Sequence, residues 1–557
     1  MTEPVVTSGT GSARKVYDVL AEAFASEGVS VMFNIMGYGN RHFVVSAGHR
    51  GIRLITARHE GAALAMADGY ARASGDVGVI SVHYGPGVTQ LPTSIMVANK
   101  AGTPLVIFAA GLYTDVRHMG GPLDLEERNL LEAAGAIVVE LERGEKAAET
   151  VHLAFHKARL HSKPVALLAP IDIQESSVEI DHPDPGPVED RGRPVTVPPQ
   201  DAIADAAGIL RHAQRPIVLA GAGAVSPQTR ELALKIADHL GALVATSFGA
   251  KGLFDGQPRS LAAAGGFALH ADRELLEQAD CVLAVGASLN ARTTDGGKLF
   301  SEARILQIDD HASAFEHAEP TGQVRLLGDA AATLELLATA LLAGDQRSTW
   351  SPEVLARLAG SDSRQSELAG YPKLAEPGTV DPRQFLFEMD AVLPDDAVIV
   401  VGGGHCMTFA VQYLRNPSGR MFEMVFDFMT TGQALGSAIG AALACPGRTV
   451  VAVEGDASIL MHIQELETAA RHGIPVLILV LNDGALGAEY HGLVSDGMDA
   501  SAALASTPAL ARVADAFGGA GMDVTGPGTA EQIMRWYDPA RGPHLVDVRI
   551  PLSIVAP

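Results

Sequence analysis

The chain has 557 residues, with 41 Lys and Arg against 65 Asp and Glu, for a formal charge of −24. That acidity argues against nucleic acids and anionic membrane surfaces as partners, since either would be repelled. Hydrophobic residues make up 47% and charged residues 19% of a chain too long for one core, so about three well-filled domains are expected.

In chain order, the first dozen residues are small and polar, and 1–11 read as a loose tail. No apolar run reaches the length of a membrane span, so neither a signal peptide nor a transmembrane helix is expected. Cys281, Cys406 and Cys445 stand far apart, without metal-ligand spacing, which suits a reducing cytoplasm and no disulfide. Two Pro-rich breaks, His182 to Gln200 and Ala343 to Asp381, read as linkers. They leave blocks of 12–180, 200–343 and 380–557. Each alternates apolar strands with amphipathic helices: Gly78 to Val82 and Leu105 to Ala109, then Ile217 to Ala220 and Cys281 to Val285, then Val398 to Val401 and Val450 to Val453. The expected fold class is α/β, with three doubly wound parallel-sheet domains.

In the first block Arg58 to Arg72 reads as a helix with Glu60 at its head. A carboxyl group in the apolar setting of Ala62, Ala63 and Met66 is suited to exchange a proton with a ring nitrogen of a cofactor. The strand Gly78 to Val82 leads into His83 and the turn Tyr84-Gly85-Pro86-Gly87-Val88-Thr89-Gln90. In the central block, Ala220-Gly221-Ala222-Gly223-Ala224 lacks the third glycine of a dinucleotide fingerprint, so a nicotinamide oxidoreductase is not expected. The third block opens with Gly402-Gly403-Gly404-His405-Cys406-Met407, whose amides suit phosphate oxygens. Next come Thr430-Thr431-Gly432-Gln433-Ala434-Leu435-Gly436, then Val453-Glu454-Gly455-Asp456-Ala457-Ser458-Ile459, and finally Leu481-Asn482-Asp483-Gly484. Between the last two, Ile459, Leu460, Ile463, Leu466, Ala469 and Ala470 follow helical spacing up to Gly473, and Val476 to Leu481 reads as a strand. Two acidic turns at the carboxyl ends of parallel strands offer oxygens to one small cation, and the amides of the helix between them suit an anion. That is a metal-diphosphate site.

Gly-Asp-Ala-Ser followed by Asn-Asp resembles the thiamin-diphosphate motif of the acetolactate synthase and benzoylformate decarboxylase superfamily. The Arg58 to Arg72 stretch resembles its cofactor-activating Glu, and residues 84–90 its Gly-Pro-Gly loop. The resemblance spans essentially the whole chain and implies pyrimidine-binding, central and diphosphate-binding domains in that order. It implies Glu60 as the residue that activates the cofactor. Cofactor contacts are implied for Gly85, Pro86, Gln90, Gly404, His405, Cys406, Thr431, Gln433, Asp456, Ala457, Ser458, Asp483, Ala485 and Leu486. Mg²⁺ ligands are implied at Asp456, Asp483 and the Ala485 carbonyl, with Asn482 bracing the turn. The chain departs from the pattern at Ala457 (usually Gly), at Asp483 (usually Asn) and at Thr431, where a bulkier apolar residue usually bends the cofactor. Acetolactate synthase relatives bind FAD in the central domain and decarboxylase relatives leave it empty; an empty domain is favoured here.

His83 falls where benzoylformate decarboxylases carry a catalytic His, and a His after a buried strand can shuttle a proton near neutral pH. Their second His is replaced by Thr293 and their Ser by Tyr38, which stands against arylketoacid decarboxylation. Tyr38, His42, Tyr84, Glu489 and His491 are further candidates to meet substrate. The reading is a thiamin-diphosphate- and Mg²⁺-dependent lyase or carboligase acting on a small 2-oxo acid or related carbonyl. A 2-hydroxyacyl-CoA or cyclic diketone lyase is the alternative within the superfamily, and a non-catalytic regulatory homologue the alternative outside enzymes. A homodimer or homotetramer is implied, because in the family each site lies between two subunits.

Overall fold

The computed structural model describes residues 13–179, 184, 186–188, 195–311, 324–342, 350–360, 362–372, 376–417, 421–425 and 427–556. The tail expected at 1–11 and parts of both linkers lie outside the described residues. Three sheets, each of six parallel strands, organise the chain. The first runs in the order Arg53–Thr56, Val31–Asn34, Gly78–Val82, Leu105–Gly111, Pro164–Pro170, Ile137–Glu140. In the second, Pro216–Ala220 lies between Leu243–Thr246 and Cys281–Val285. In the third, Val398–Gly402, Val450–Gly455 and Leu477–Asn482 are adjacent. The central strands are buried on both faces and carry Val, Ile, Leu and Ala without polar alternation, as a helix-covered parallel sheet requires. The fold class is thus α/β, as the strand spacing implied.

One expectation is corrected. The helical pattern from Ile459 to Ala470 is not one helix: Asp456–Ile459 and Glu465–His472 are separate helices. Between them the backbone tightens, with Met461 N–H donating to Ser458 O and His462 N–H to Ile459 O. Gly473 does close the second helix in the left-handed region.

The first and third domains meet along two helices, Glu60–Ser74 and Ala434–Ala444. Their sequences are rich in Gly, Ala and Ser on the touching faces, which lets the backbones approach closely. A Cβ on Gly69 would overlap the backbone of Ser437, and one on Gly440 would overlap the Met66 carbonyl. This seam places the head of the Glu60 helix beside the third domain.

Candidate active site

Glu60 is the first residue of its helix. The preceding His59 accepts from Gly61 N–H at Nδ1 (3.0 Å), so its Nε2–H points to Gln90 Oε1 at 3.1 Å. Glu60 lies against the glycine turn, its Oε1 3.5 Å from where a Gly87 Cβ would sit. Gly85 adopts φ +61° and donates its N–H to Glu127 Oε1 at 2.7 Å, with Pro86 starting the next helical turn. Burial pushes the Glu127 carboxyl up to about 7. The His83 ring packs on Tyr84 at 4.0 Å, and Tyr84 is buried. Tyr38 and Tyr113 share a hydroxyl hydrogen bond of 3.0 Å. His42 is engaged by Glu175 at 3.3 Å and by the Tyr17 ring.

In the third domain Asp456 begins the helix that follows its strand and is 1% exposed. Burial first, then the neighbouring Asp483 carboxylate, push it up to about 7. Its Oδ2 is buried without a hydrogen-bond partner. Asp483 accepts from Ala485 N–H at 3.1 Å and from His405 Nδ1 at 3.0 Å. The proton on that nitrogen is assigned by the opposite side of the ring, where Ala556 N–H donates to Nε2 at 3.0 Å. Gly487 makes room for this pair, since a Cβ there would overlap Asp483 Oδ2 and reach within 2.7 Å of His405 Nδ1. Asn482 donates to Asp547 Oδ1 at 2.7 Å and so braces the turn from beneath.

Gly404 takes φ +110° to start the helix His405–Tyr413, leaving the first amides of that helix without helical acceptors. Cys406 in its first turn is buried, and burial raises its thiol far above the ordinary range, so it stays protonated. Ser458 donates to Glu454 Oε1 and accepts from Gly432 N–H, both at 2.8 Å, tying the Asp456 helix to the Thr431 loop. Thr431 itself donates to the Met461 sulfur at 3.3 Å. Gln433 is turned to the seam, where Ser94 donates to its Oε1 at 3.0 Å. Ala457 continues the Asp456 helix, Leu486 and Glu489 are exposed at the rim, and the His491 ring lies 4.8 Å from that of His405.

Four residues given no role from the sequence bear on the site. Glu465 is fully buried and accepts Arg58 N–H on both oxygens, docking the residues before Glu60 onto the third domain. Glu127 holds the glycine turn, Glu454 holds Ser458, and Met461 adds apolar bulk beside Thr431. Their pairings join distant parts of the chain or fall within irregular turns, so periodicity carries no signal of them. The motif Val453-Glu454-Gly455-Asp456 alone pointed near Glu454.

The donor set suits a divalent cation with a diphosphate: a buried carboxylate with an unpartnered oxygen and a partly buried one stand beside a helix start whose first two amides, His405 and Cys406, have no helical acceptor. Among the described residues no hydrogen bond or ion pair links Glu60 or His83 to Asp456, Asp483 or His405.

Three family models match in order: the thiamine pyrophosphate enzyme N-terminal TPP binding domain over residues 14–127, the central domain over 203–337, and the C-terminal TPP binding domain over 402–548. A probable acetolactate synthase large subunit of Methanocaldococcus jannaschii is 26% identical over 543 residues, covering 96% of this chain and 91% of that protein. The sulfoacetaldehyde acetyltransferase of Alcaligenes xylosoxydans xylosoxydans is 30% identical over 505 residues, covering 85% and 81%. The acetolactate synthase isozyme 3 large subunit of Escherichia coli is 27% identical over 529 residues, covering 92% and 90%. With every domain matched in sequence order and relatives aligned along most of their length, the chain belongs to the thiamine-pyrophosphate-dependent enzyme superfamily.

Proposed function

We propose that this protein is a thiamin-diphosphate- and Mg²⁺-dependent lyase or carboligase acting on a small 2-oxo acid or related carbonyl compound. The observation that carries the reading is Asp456, buried beside Asp483 with one oxygen unpartnered, at the carboxyl edge of a parallel sheet. In this reading Asp456, Asp483 and the Ala485 carbonyl hold Mg²⁺, and the amides around Gly404, His405 and Cys406 hold the diphosphate. When bound, thiamin diphosphate supplies a nucleophilic carbon and an electron sink. Glu60 holds and moves a proton at its carboxyl oxygen, while Gly85, Pro86 and Gln90 shape the wall beside it. Thr431 and Met461 together give the apolar contact that orients the cofactor, with Ala457, Ser458, Gln433 and Leu486 framing it. Tyr38, Tyr84, Glu489 and His491 are the side chains offered to substrate, and His42 lies behind them.

A second copy of the chain completes the site in this reading, as the resemblance to the superfamily implies. FAD is left out of the reading. The cavity of about 480 Å³ at the central domain's sheet edge presents Asp309, Glu423 and Asp427 beside Arg72 and Arg292, with no net positive lining for a second diphosphate.

Acyl transfer is the second reading, favoured by the 30% identity to sulfoacetaldehyde acetyltransferase. Proton NMR of the protein with thiamin diphosphate and Mg²⁺ tests both, using pyruvate with and without an aldehyde acceptor, benzoylformate, and sulfoacetaldehyde with inorganic phosphate as acyl acceptor. Hydroxyketone or aldehyde from a 2-oxo acid supports the first reading; consumption of sulfoacetaldehyde alone supports the second. Glu60→Gln is expected to abolish turnover with an unchanged circular dichroism spectrum, and near-normal turnover in that variant would sink the assignment.

A further inference from the structure

His83 receives a hydrogen bond from the backbone: Gly39 N–H donates to its Nδ1 at 3.1 Å. A ring nitrogen that accepts carries no proton, so the neutral imidazole bears its hydrogen on Nε2. Moving a proton onto Nδ1 would set two N–H groups face to face and break the bond.

The donor is held so that it cannot turn away. Asn40 is fully buried, accepts Gly37 N–H at 2.7 Å, and donates to Ile35 O and Ser81 Oγ, each at 3.0 Å. The loop also wraps the ring by shape. A Cβ on Gly37 would come within 2.6 Å of His83 Cγ, and one on Gly39 within 2.8 Å of both Ala110 and Tyr84.

The titratable groups around the ring are Tyr84, tilted against it at 60°, and Glu60, across Gly87, and neither forms a hydrogen bond to it. Burial lowers the pKa of His83, in the same direction as the backbone donor. Among the described residues none engages Nε2, and the side chain is half-buried, so this N–H is open.

We infer that His83 acts as a neutral, donor-only imidazole that presents Nε2–H to a substrate oxygen, a carbonyl or carboxylate gaining negative charge, and does not shuttle protons. The inference rests on the proposed reaction for its substrate but not for its tautomer. A fixed donor aimed at a developing oxyanion is worth about 10²–10³-fold in rate.

Two measurements test it. Gln places an amide N–H close to where Nε2 stands and cannot carry a proton. His83→Gln is therefore expected to keep kcat/KM within about tenfold of wild type with an unchanged pH profile, whereas His83→Leu loses about 10²–10³-fold. Separately, ring-¹⁵N-histidine NMR of the protein alone, assigned by the signal missing from His83→Gln, is expected to show the Nε2–H form throughout about pH 6–8. A His83 signal that titrates in that range, or His83→Gln as damaging as His83→Leu, overturns the inference. Because the NMR needs no turnover, failure of the proposed reaction leaves this reading separately decided.

Discussion

Glu423 carries a carboxyl group into the seam between the first and third domains with both oxygens buried and unpartnered. Burial raises it to about 8, offset in part by Arg72, which is already shared with Asp68 and Asp427. The native state therefore keeps this proton over a pH range in which the unfolded chain releases it. Stability falls as pH rises from the ordinary carboxylate range to about 8, and the deficit is constant above that. Glu423→Gln mimics the neutral form. It is expected to be more stable than wild type at high pH by up to about 5 kcal/mol and near neutral in effect at low pH, read by denaturant unfolding at both ends. At this scale the nearness of Asp456 to Asp483 was legible in the sequence, because each sits in a local turn motif at the end of a strand. The sequence did not reveal Glu465, whose backbone partner at Arg58 is 407 positions away, or the pairing of Glu127 with Gly85.

Two helices, Glu60–Ser74 and Ala434–Ala444, owe their closeness to glycine. Gly440→Ala would drive a methyl into the Met66 carbonyl, and since that neighbour is backbone it cannot step aside. A loss of about 3 kcal/mol or more is expected, with the thermal midpoint as readout. Gly208→Ala is the control: it lies inside the helix Gln200–His212 with nothing near its Cβ position, so a gain of about 0.5–1 kcal/mol from helix propensity is expected. Strands were legible almost to the residue, as Gly78–Val82 and Cys281–Val285 show, because buried parallel strands are bounded by abrupt polar turns. The single helix expected from Ile459 to Ala470 was not found, since apolar spacing cannot register a tightened turn that aims His462 and Glu465 at the neighbouring domain.

On the scale of the molecule, the first and third domains each hold half of the proposed machinery. If a second copy supplies the missing half, Glu60→Gln and Asp456→Asn should each be inactive alone. Unfolding and refolding the two as a mixture should restore about a quarter of wild-type turnover, because half of randomly paired dimers then carry one intact site of two. No recovery, with heterodimers shown to form, would place both halves of the site in one chain. The three-domain order was readable because each block repeats the same strand and helix grammar. Which domains touch, and along which faces, was not, because the Ala- and Gly-rich helix surfaces that meet look like ordinary core faces in a linear sequence.

That meeting has a consequence for anyone who would recombine this protein with its relatives. Because Gly69 and Gly440 bring main chain against main chain, the two domains share one fitted joint rather than two independent surfaces. Chimeras that exchange the first or the third domain alone should inherit a mismatched joint. Exchanges that carry both helices as a unit, and leave the central domain to vary, are the ones expected to fold.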